Sequence, residues 1–93
     1  MNRIELFGSV ADFIEYDSQN ETLYFDMMTF DGKRPELHHV QWRNFKAHQL
    51  YSGLSFGDRV IVIGANRTIE NITKIVAKSV FKTERKSEDE NVA

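Results

Sequence analysis

The chain has 93 residues, no cysteine and a formal net charge of −2 at pH 7. This length corresponds to one small domain, and the lack of cysteine excludes disulfides, thiolate metal sites and a cysteine nucleophile. A hydrophobic content of 41% is sufficient for a buried core, whereas no apolar run approaches the ~20 residues that span a bilayer. Because the first residues carry no signal-peptide pattern, we expect a cytoplasmic protein without a membrane partner.

The first three predicted elements are strands. Residues 3–15 alternate between apolar and polar side chains, which predicts a strand, with Gly8 as the expected bend. After a turn at residues 17–20, residues 22–30 alternate again and carry large side chains on both faces. Residues 37–43 form the third predicted strand.

The second half of the chain contains the only predicted helix. Residues 45–54 have apolar side chains at three- and four-residue spacing, which predicts a short helix. Residues 59–65 form the most apolar strand, which we expect to be buried on both faces. Residues 66–71 are a predicted tight connection, and residues 72–81 are the fifth strand. Residues 83–93 form a charged tail that we expect to be disordered.

The order of these elements predicts an all-β domain. Five strands with one short helix between strands 3 and 4 match an OB-fold, a five-stranded Greek-key barrel. We therefore predict an OB-fold domain over residues 1–82. An SH3-like barrel or a small sandwich would place the helix less naturally. In OB-folds the face of strands 2 and 3 binds oligonucleotides or oligosaccharides.

The charge of the chain is unevenly distributed. Residues 1–31 hold one cation against seven acidic residues, whereas residues 32–86 hold eleven cations against four. A positive stretch of this size is compatible with a basic face for a polyanion. A solvated outer sheet face would show the same asymmetry.

Five short motifs follow one another along the chain: residues 1–8 (MNRIELFG), 36–42 (ELHHVQW), 57–64 (GDRVIVIG), 67–68 (RT) and 72–77 (ITKIVA). In this order, and without a gap from residue 36 to residue 68, they resemble a short form of the bacterial single-stranded DNA-binding protein (SSB) family. The resemblance covers residues 1–82. It implies an OB-fold, sequence-nonspecific binding of single-stranded DNA and assembly into a homodimer or homotetramer. The loop after strand 2 and the loop between strands 4 and 5 are shorter than in the family, which implies a smaller footprint on DNA.

Binding of a single strand requires aromatic side chains on which bases stack, beside cations that contact phosphates. The resemblance places a stacking aromatic at Phe30, for which a core position at the strand end is the alternative. Tyr24 shares the face of Phe30 on the second strand, and its hydroxyl favours a half-exposed site.

The third strand can be read in two registers that exclude each other. Counting without a gap from Glu36 places Leu37, His39, Gln41 and Arg43 on the DNA face and turns His38, Val40 and Trp42 inward. A one-residue bulge would instead place Trp42 at the family's stacking position.

The phosphate candidates are cations of the basic stretch, each of which, taken alone, is equally compatible with a solvated surface charge. Together with the aromatic candidates, the predicted DNA-binding set is Tyr24, Phe30, Lys33, Arg34, His39, Trp42, Arg43, Lys46, Arg67 and Lys74.

No residue pattern indicates an enzyme, a cofactor or a metal site. The adjacent residues His38 and His39 point to opposite faces of a strand, and no nearby carboxylate pair or cysteine completes a metal site. The five glycines are scattered singly, so no glycine-rich phosphate-binding loop is present.

Two functions from different classes remain. The first is sequence-nonspecific binding of single-stranded DNA in DNA replication, recombination or repair, in a host or a mobile element. The second is an OB-fold accessory subunit of the replication-restart type that binds mainly protein partners, such as replication or recombination proteins.

Overall fold

The computed structural model describes residues 2–83, which form a closed five-stranded barrel with one short helix. In chain order the elements are β1 (Ile4–Asp17), β2 (Thr22–Asp31), β3 (Arg34–Arg43), α1 (Ala47–Ser52), β4 (Arg59–Ile69) and β5 (Ile72–Lys82). Around the barrel the order is β1-β2-β3-β5-β4, with β3 and β5 parallel and the other pairs antiparallel. This is the predicted OB-fold. Apart from Thr83, the predicted tail lies outside the described residues.

The first strand closes the barrel because it pairs with two strands along its length. Its residues 4–9 pair with β4, and from Ser9 onward it pairs with β2. The register of the β1–β2 pairing shifts between Val10 and Ile14, beyond the predicted bend at Gly8. Gly8 instead allows β1 to approach β2 closely, since a Cβ there would clash with the carbonyl oxygen of Met28.

The core is formed by the inward-facing residues of the strands, as the alternation predicts. On β2 the side chains of Leu23, Phe25 and Met27 are at most 1% exposed. On β4 Val60 and Val62 are fully buried. Because alternate residues of a strand point to opposite faces, the residues between these positions form the outer surface of the barrel.

The fourth strand differs from its prediction in two respects. It continues to Ile69, and the two-residue turn at Glu70 and Asn71 has positive φ at both residues, 53° and 70°. Two central residues with left-handed backbone match the twist of a β-hairpin. Residues 66–69 of the connection predicted at 66–71 therefore belong to β4. Ile61 and Ile63 are only half-buried, so the prediction that this strand is buried on both faces was wrong.

The helix is shorter than predicted and packs against the end of the barrel. It has six residues, of which Ala47 is fully buried. The ring of Tyr16 on β1 stacks on Tyr51 with centroids 5.4 Å apart and meets His48 edge-on at 5.3 Å. Apolar residues flanking the helix suggested a longer helix, but they belong to the loops.

The turn between β1 and β2 is fixed by Asp17. Its carboxylate accepts hydrogen bonds from the Gln19 backbone N–H at 3.0 Å and from the Asn20 side-chain amide at 2.8 Å. The Asn20 side-chain hydrogen bond holds the pKa of Asp17 below its ordinary value because it stabilises the charged form.

Gly8→Ala should lower the free energy of unfolding by roughly 1–3 kcal/mol, because the new methyl group overlaps the Met28 carbonyl and one strand must shift. Gly53→Ala is the matched control, since nothing lies within 4 Å of a Cβ there. Urea unfolding measures both. Equal midpoints for the two variants would contradict the close approach of β1 to β2.

Candidate nucleic-acid interface

The outer face of β2 and β3 carries a compact block of polar and aromatic side chains. The strand register places Tyr24 opposite Gln41 and Asp26 opposite His39. All of these point away from the core, because the residues between them along each strand are buried. The block therefore lies on the face that binds ligands in OB-folds.

A groove of about 380 Å³ lies over this block, and we call it the central groove. Phe13 of β1 and Ile72 of β5 flank it on opposite sides and are 42% and 58% exposed. The half-buried Lys74 of β5 donates a hydrogen bond from Nζ to Gln41 Oε1 at 3.1 Å. The groove is lined by Phe13, Tyr24, Phe25, Asp26, His39, Val40, Gln41, Ile72 and Lys74.

A carboxylate lies within this groove. His39 Nδ1 and Asp26 Oδ1 are 2.8 Å apart. Because an ionised carboxylate can only accept a hydrogen bond, we assign the proton to His39 Nδ1. The side chain of Asp26 is 13% exposed and that of His39 is 58% exposed, so the carboxylate is recessed and the imidazole lies above it.

The hairpin between β2 and β3 presents a second group of candidates. Phe30 is 69% exposed and pairs with Pro35, so the alternative of a core position for Phe30 was wrong. Lys33 and Arg34 are exposed at the tip beside it. An exposed ring next to two cations is the combination that base stacking and phosphate contact require.

Trp42 does not lie on this face. Pairing between β2 and β3 runs without a shift from Thr22–Arg43 to Asp31–Arg34, so no bulge is present. Trp42 is therefore turned inward, is 7% exposed and donates a hydrogen bond from Nε1 to the Lys78 carbonyl at 3.3 Å. The interpretation of Trp42 as an exposed stacking residue was wrong, because it needed a one-residue slip.

The predicted cations are divided between three places. Lys33 and Arg34 lie at the β2–β3 hairpin tip. Arg43 ends β3, and Lys46 lies before α1 with Nζ 5.8 Å from the centre of the Phe45 ring. The remaining pair, Arg67 and Lys74, are direct partners across β4 and β5.

A second depression, of about 640 Å³, lies next to the Arg67–Lys74 pair on β4 and β5. Arg3, Arg67 and Lys78 contribute to its lining, and none of its lining residues within the described range 2–83 is acidic. Since Lys74 borders the central groove and pairs with Arg67, basic side chains continue from the groove across β5 to this depression.

Sequence reasoning missed several side chains of these surfaces. Phe13 reaches the central groove from the stretch where the β1–β2 register shifts, which periodicity does not reveal. Asp26 was not singled out, although strand alternation places it on the face of Tyr24. The gap-free register had placed Gln41 on the DNA face without assigning it a contact. Arg3 lies far in sequence from the other cations of the second depression.

The two adjacent histidines have different partners, as expected for residues on opposite faces. His38 Nε2 is 2.9 Å from Thr29 Oγ1, whereas His39 binds Asp26. Within residues 2–83, no group of three or more histidine, aspartate or glutamate side chains is arranged to hold a metal ion.

The described part of the chain also contains no helix with the length and apolar character needed to cross a membrane.

Solved structures share this architecture at low sequence identity. The N-terminal domain of the PriB protein from Thermoanaerobacter tencongensis, described as dimeric, superposes with a TM-score of 0.71 at 17% identity, covering 90% of this chain and 98% of that one. The small single-stranded DNA-binding protein from Streptomyces coelicolor gives 0.70 at 19% identity, covering 87% and 90%. The mitochondrial single-stranded DNA-binding protein Rim1 from S. cerevisiae gives 0.74 at 11%, covering 89% and 94%.

At these identities the comparison establishes a shared fold, which confirms the OB-fold prediction. No protein-family model matches the sequence, and no curated protein matches it.

Trp42→Ala should lower the free energy of unfolding by roughly 3–5 kcal/mol, because it removes a large buried ring. Tyr51→Ala is the control, since Tyr51 is an aromatic residue that is 39% exposed, and it should cost less. Chemical denaturation followed by circular dichroism checks both variants. An equal loss of stability in the two variants would contradict the buried position of Trp42.

Proposed function

We propose that this protein binds single-stranded DNA with little sequence specificity, through the outer face of β2 and β3. The observation that carries the proposal is the combination on that face of exposed aromatic rings with cations. Phe30, Phe13 and Tyr24 offer rings on which bases can stack, and Lys74 with the tip residues Lys33 and Arg34 offers phosphate contacts. Stacking is tolerant of sequence because every base has a π-face.

The arrangement supports a path for the strand along β3. From Pro35, beside Phe30, to Arg43 at the other end, β3 is roughly 27 Å long at ~3.3–3.4 Å per residue. The central groove lies between these ends. Since OB-folds cover ~4–16 nucleotides, a chain with short hairpin loops should lie at the small end of that range.

The overall negative charge does not oppose this function. Binding depends on the local potential. Lys74 lines the groove, Lys33 and Arg34 lie at one end of β3 and Arg43 lies at the other end. Arg67 on β4, Lys78 on β5 and Arg3, which pairs with Glu5 at 3.5 Å, extend the basic side chains around the second depression. They provide phosphate contacts for a strand that continues beyond the central groove.

We further infer that the protein is of the SSB type and acts in DNA replication, recombination or repair by binding rather than by catalysis. The sequence motifs and the barrels shared with proteins described as single-stranded DNA-binding support this assignment. We also propose a cytoplasmic location, which follows from the bacterial resemblance.

The alternative, an accessory subunit that binds mainly proteins, is favoured by one observation. An apolar row crosses three strands, where Phe7 pairs with Ile61 and Ile61 pairs with Phe81. Phe7 and Phe81 are 57% and 53% exposed, and such a row indicates a protein contact. We assign this contact to a second copy of the chain.

Phe30→Ala should weaken binding of an oligo-dT strand by a stacking increment of roughly 1–3 kcal/mol, with little change in salt dependence. Phe56→Ala is the matched control, because Phe56 is 62% exposed but lies in the loop after α1. Fluorescence anisotropy with labelled oligo-dT measures both. Equal losses in the two variants would contradict the proposed face, and no binding by the unmodified protein would refute the function.

The same titration tests the cations. Arg43→Ala should reduce the slope of log K against log salt by about 0.7, the share of one phosphate on a single strand. Arg59→Ala should leave the slope unchanged, because Arg59 lies on β4, which is not adjacent to β2 or β3 in the barrel. Equal changes of the slope in the Arg43→Ala and Arg59→Ala variants would contradict a phosphate contact specific to Arg43.

We expect a homodimer, or a dimer of dimers, formed through the apolar row and the free edge of β1. Residues 4–7 pair with β4 on one side only, because β2 approaches β1 at Gly8 and pairs with it from Ser9 onward, and an open edge favours a second strand. Light scattering should return at least twice the 10.8 kDa chain mass, and Phe7→Glu should return the monomer. A monomeric unmodified protein at micromolar concentration would contradict this assembly.

A further inference from the structure

We propose that the central groove holds one base of the bound strand, and that Asp26 favours bases carrying an exocyclic amino group, so that cytosine binds better than thymine. This inference rests on the proposed function and adds a base preference to it. The preference acts at one position of an otherwise sequence-tolerant contact.

The shape of the groove suits a flat aromatic ligand. It combines an opening of about 380 Å³ with the rings of Phe13 and Tyr24. Ile72 closes the side opposite Phe13, because β1 and β5 flank the β2–β3 pair in the barrel. A base lying between these groups would have its polar edge next to the side chains of Asp26 and Gln41.

Asp26 has hydrogen-bonding capacity left for such an edge. A carboxylate offers about four acceptor positions, and among the described residues the only hydrogen bond to the Asp26 carboxylate comes from His39, at 2.8 Å on Oδ1. That bond fixes the orientation of the carboxylate. With its side chain 13% exposed, Asp26 is shielded from bulk water, so a donor supplied by the ligand is favourable.

Gln41 presents the complementary group beside it. Lys74 Nζ can only donate, so the oxygen of the Gln41 amide faces Lys74, and the amide nitrogen retains its two hydrogens. No hydrogen bond within residues 2–83 uses that nitrogen as a donor. The lining of the groove thus includes an acceptor on Asp26 and a donor on Gln41, whose strand positions are diagonal neighbours across β2 and β3.

This pattern distinguishes the two pyrimidines. Cytosine presents its N4 amino group as a donor, and aspartate is a suitable acceptor for it. The neighbouring ring nitrogen of cytosine is an acceptor for Gln41. Thymine presents the O4 oxygen at the position of the amino group, so two acceptors would meet and the recessed carboxylate would lose water without gaining a partner.

The position of Asp26 also argues for a role in reading bases. A negative charge in the middle of a surface that binds phosphates opposes binding by charge repulsion. A carboxylate that accepts a hydrogen bond from a base offsets that repulsion at its own position. On a surface that contacts only the DNA backbone, a neutral residue at this position would bind more tightly because it would not repel the phosphates.

The test compares the unmodified protein with Asp26→Asn on oligo-dC and oligo-dT of equal length, at slightly alkaline pH, where cytosine is unprotonated. The unmodified protein should bind oligo-dC roughly tenfold more tightly, within the range measured for good base contacts. Asp26→Asn should lose most of this preference and bind oligo-dT at least as well as the unmodified protein. Glu15→Gln is the matched control, because Glu15 is an exposed acid paired with Tyr24 outside the groove lining, and it should keep the preference.

A second measurement uses only the unmodified protein and does not depend on the folding of a variant. An oligomer of 5-methylcytosine has the methyl group of thymine together with the amino group of cytosine, so it should bind like oligo-dC. Equal affinities for all three oligomers would overturn the base preference while leaving the proposed function intact. A preference that survives in Asp26→Asn, or disappears equally in Glu15→Gln, would overturn the role of Asp26. Absence of binding to every oligomer would refute both the preference and the proposed function.

Discussion

The uninterrupted pairing of β2 with β3 determines which side chains lie on the candidate binding face. Ten consecutive residue pairs run from Thr22–Arg43 to Asp31–Arg34 without a bulge. A shift of one residue would exchange every inward and outward side chain of β3. The actual register turns Trp42 and Val40 into the core and sets His39 and Gln41 beside Asp26 and Tyr24. Both the stability of the barrel and the chemistry of the central groove follow from this pairing.

Strand alternation predicted a large part of this arrangement. Alternation on β2 groups Leu23, Phe25 and Met27 on one face, which the structure shows to be buried. The order of the elements along the chain predicted the OB-fold barrel. The register of β3 was not readable, since a bulge is a property of the backbone that leaves no mark in the alternation of short segments. The structure decided between the two positions of Trp42.

Other features were missed for one local and one long-range reason. Locally, the Glu70–Asn71 turn lacks the glycine that marks most two-residue hairpin turns, so the end of β4 was assigned to a loop. The remaining features depend on contacts between distant segments. Phe13 joins the central groove only because β1 changes register against β2. The basic surface also brings together Arg3 and Lys78, which lie 75 residues apart in the chain.

The central claim is that the outer face of β2 and β3 contacts a single strand of DNA. Backbone amide NMR, with assigned shifts followed during addition of a short single-stranded oligonucleotide, tests it most directly. The account predicts that the largest changes lie at Tyr24, Asp26, Phe30, His39, Gln41 and Lys74, with Phe56 unaffected. Shifts that remain unchanged throughout, or that change mainly along the row of Phe7, Ile61 and Phe81, would contradict it.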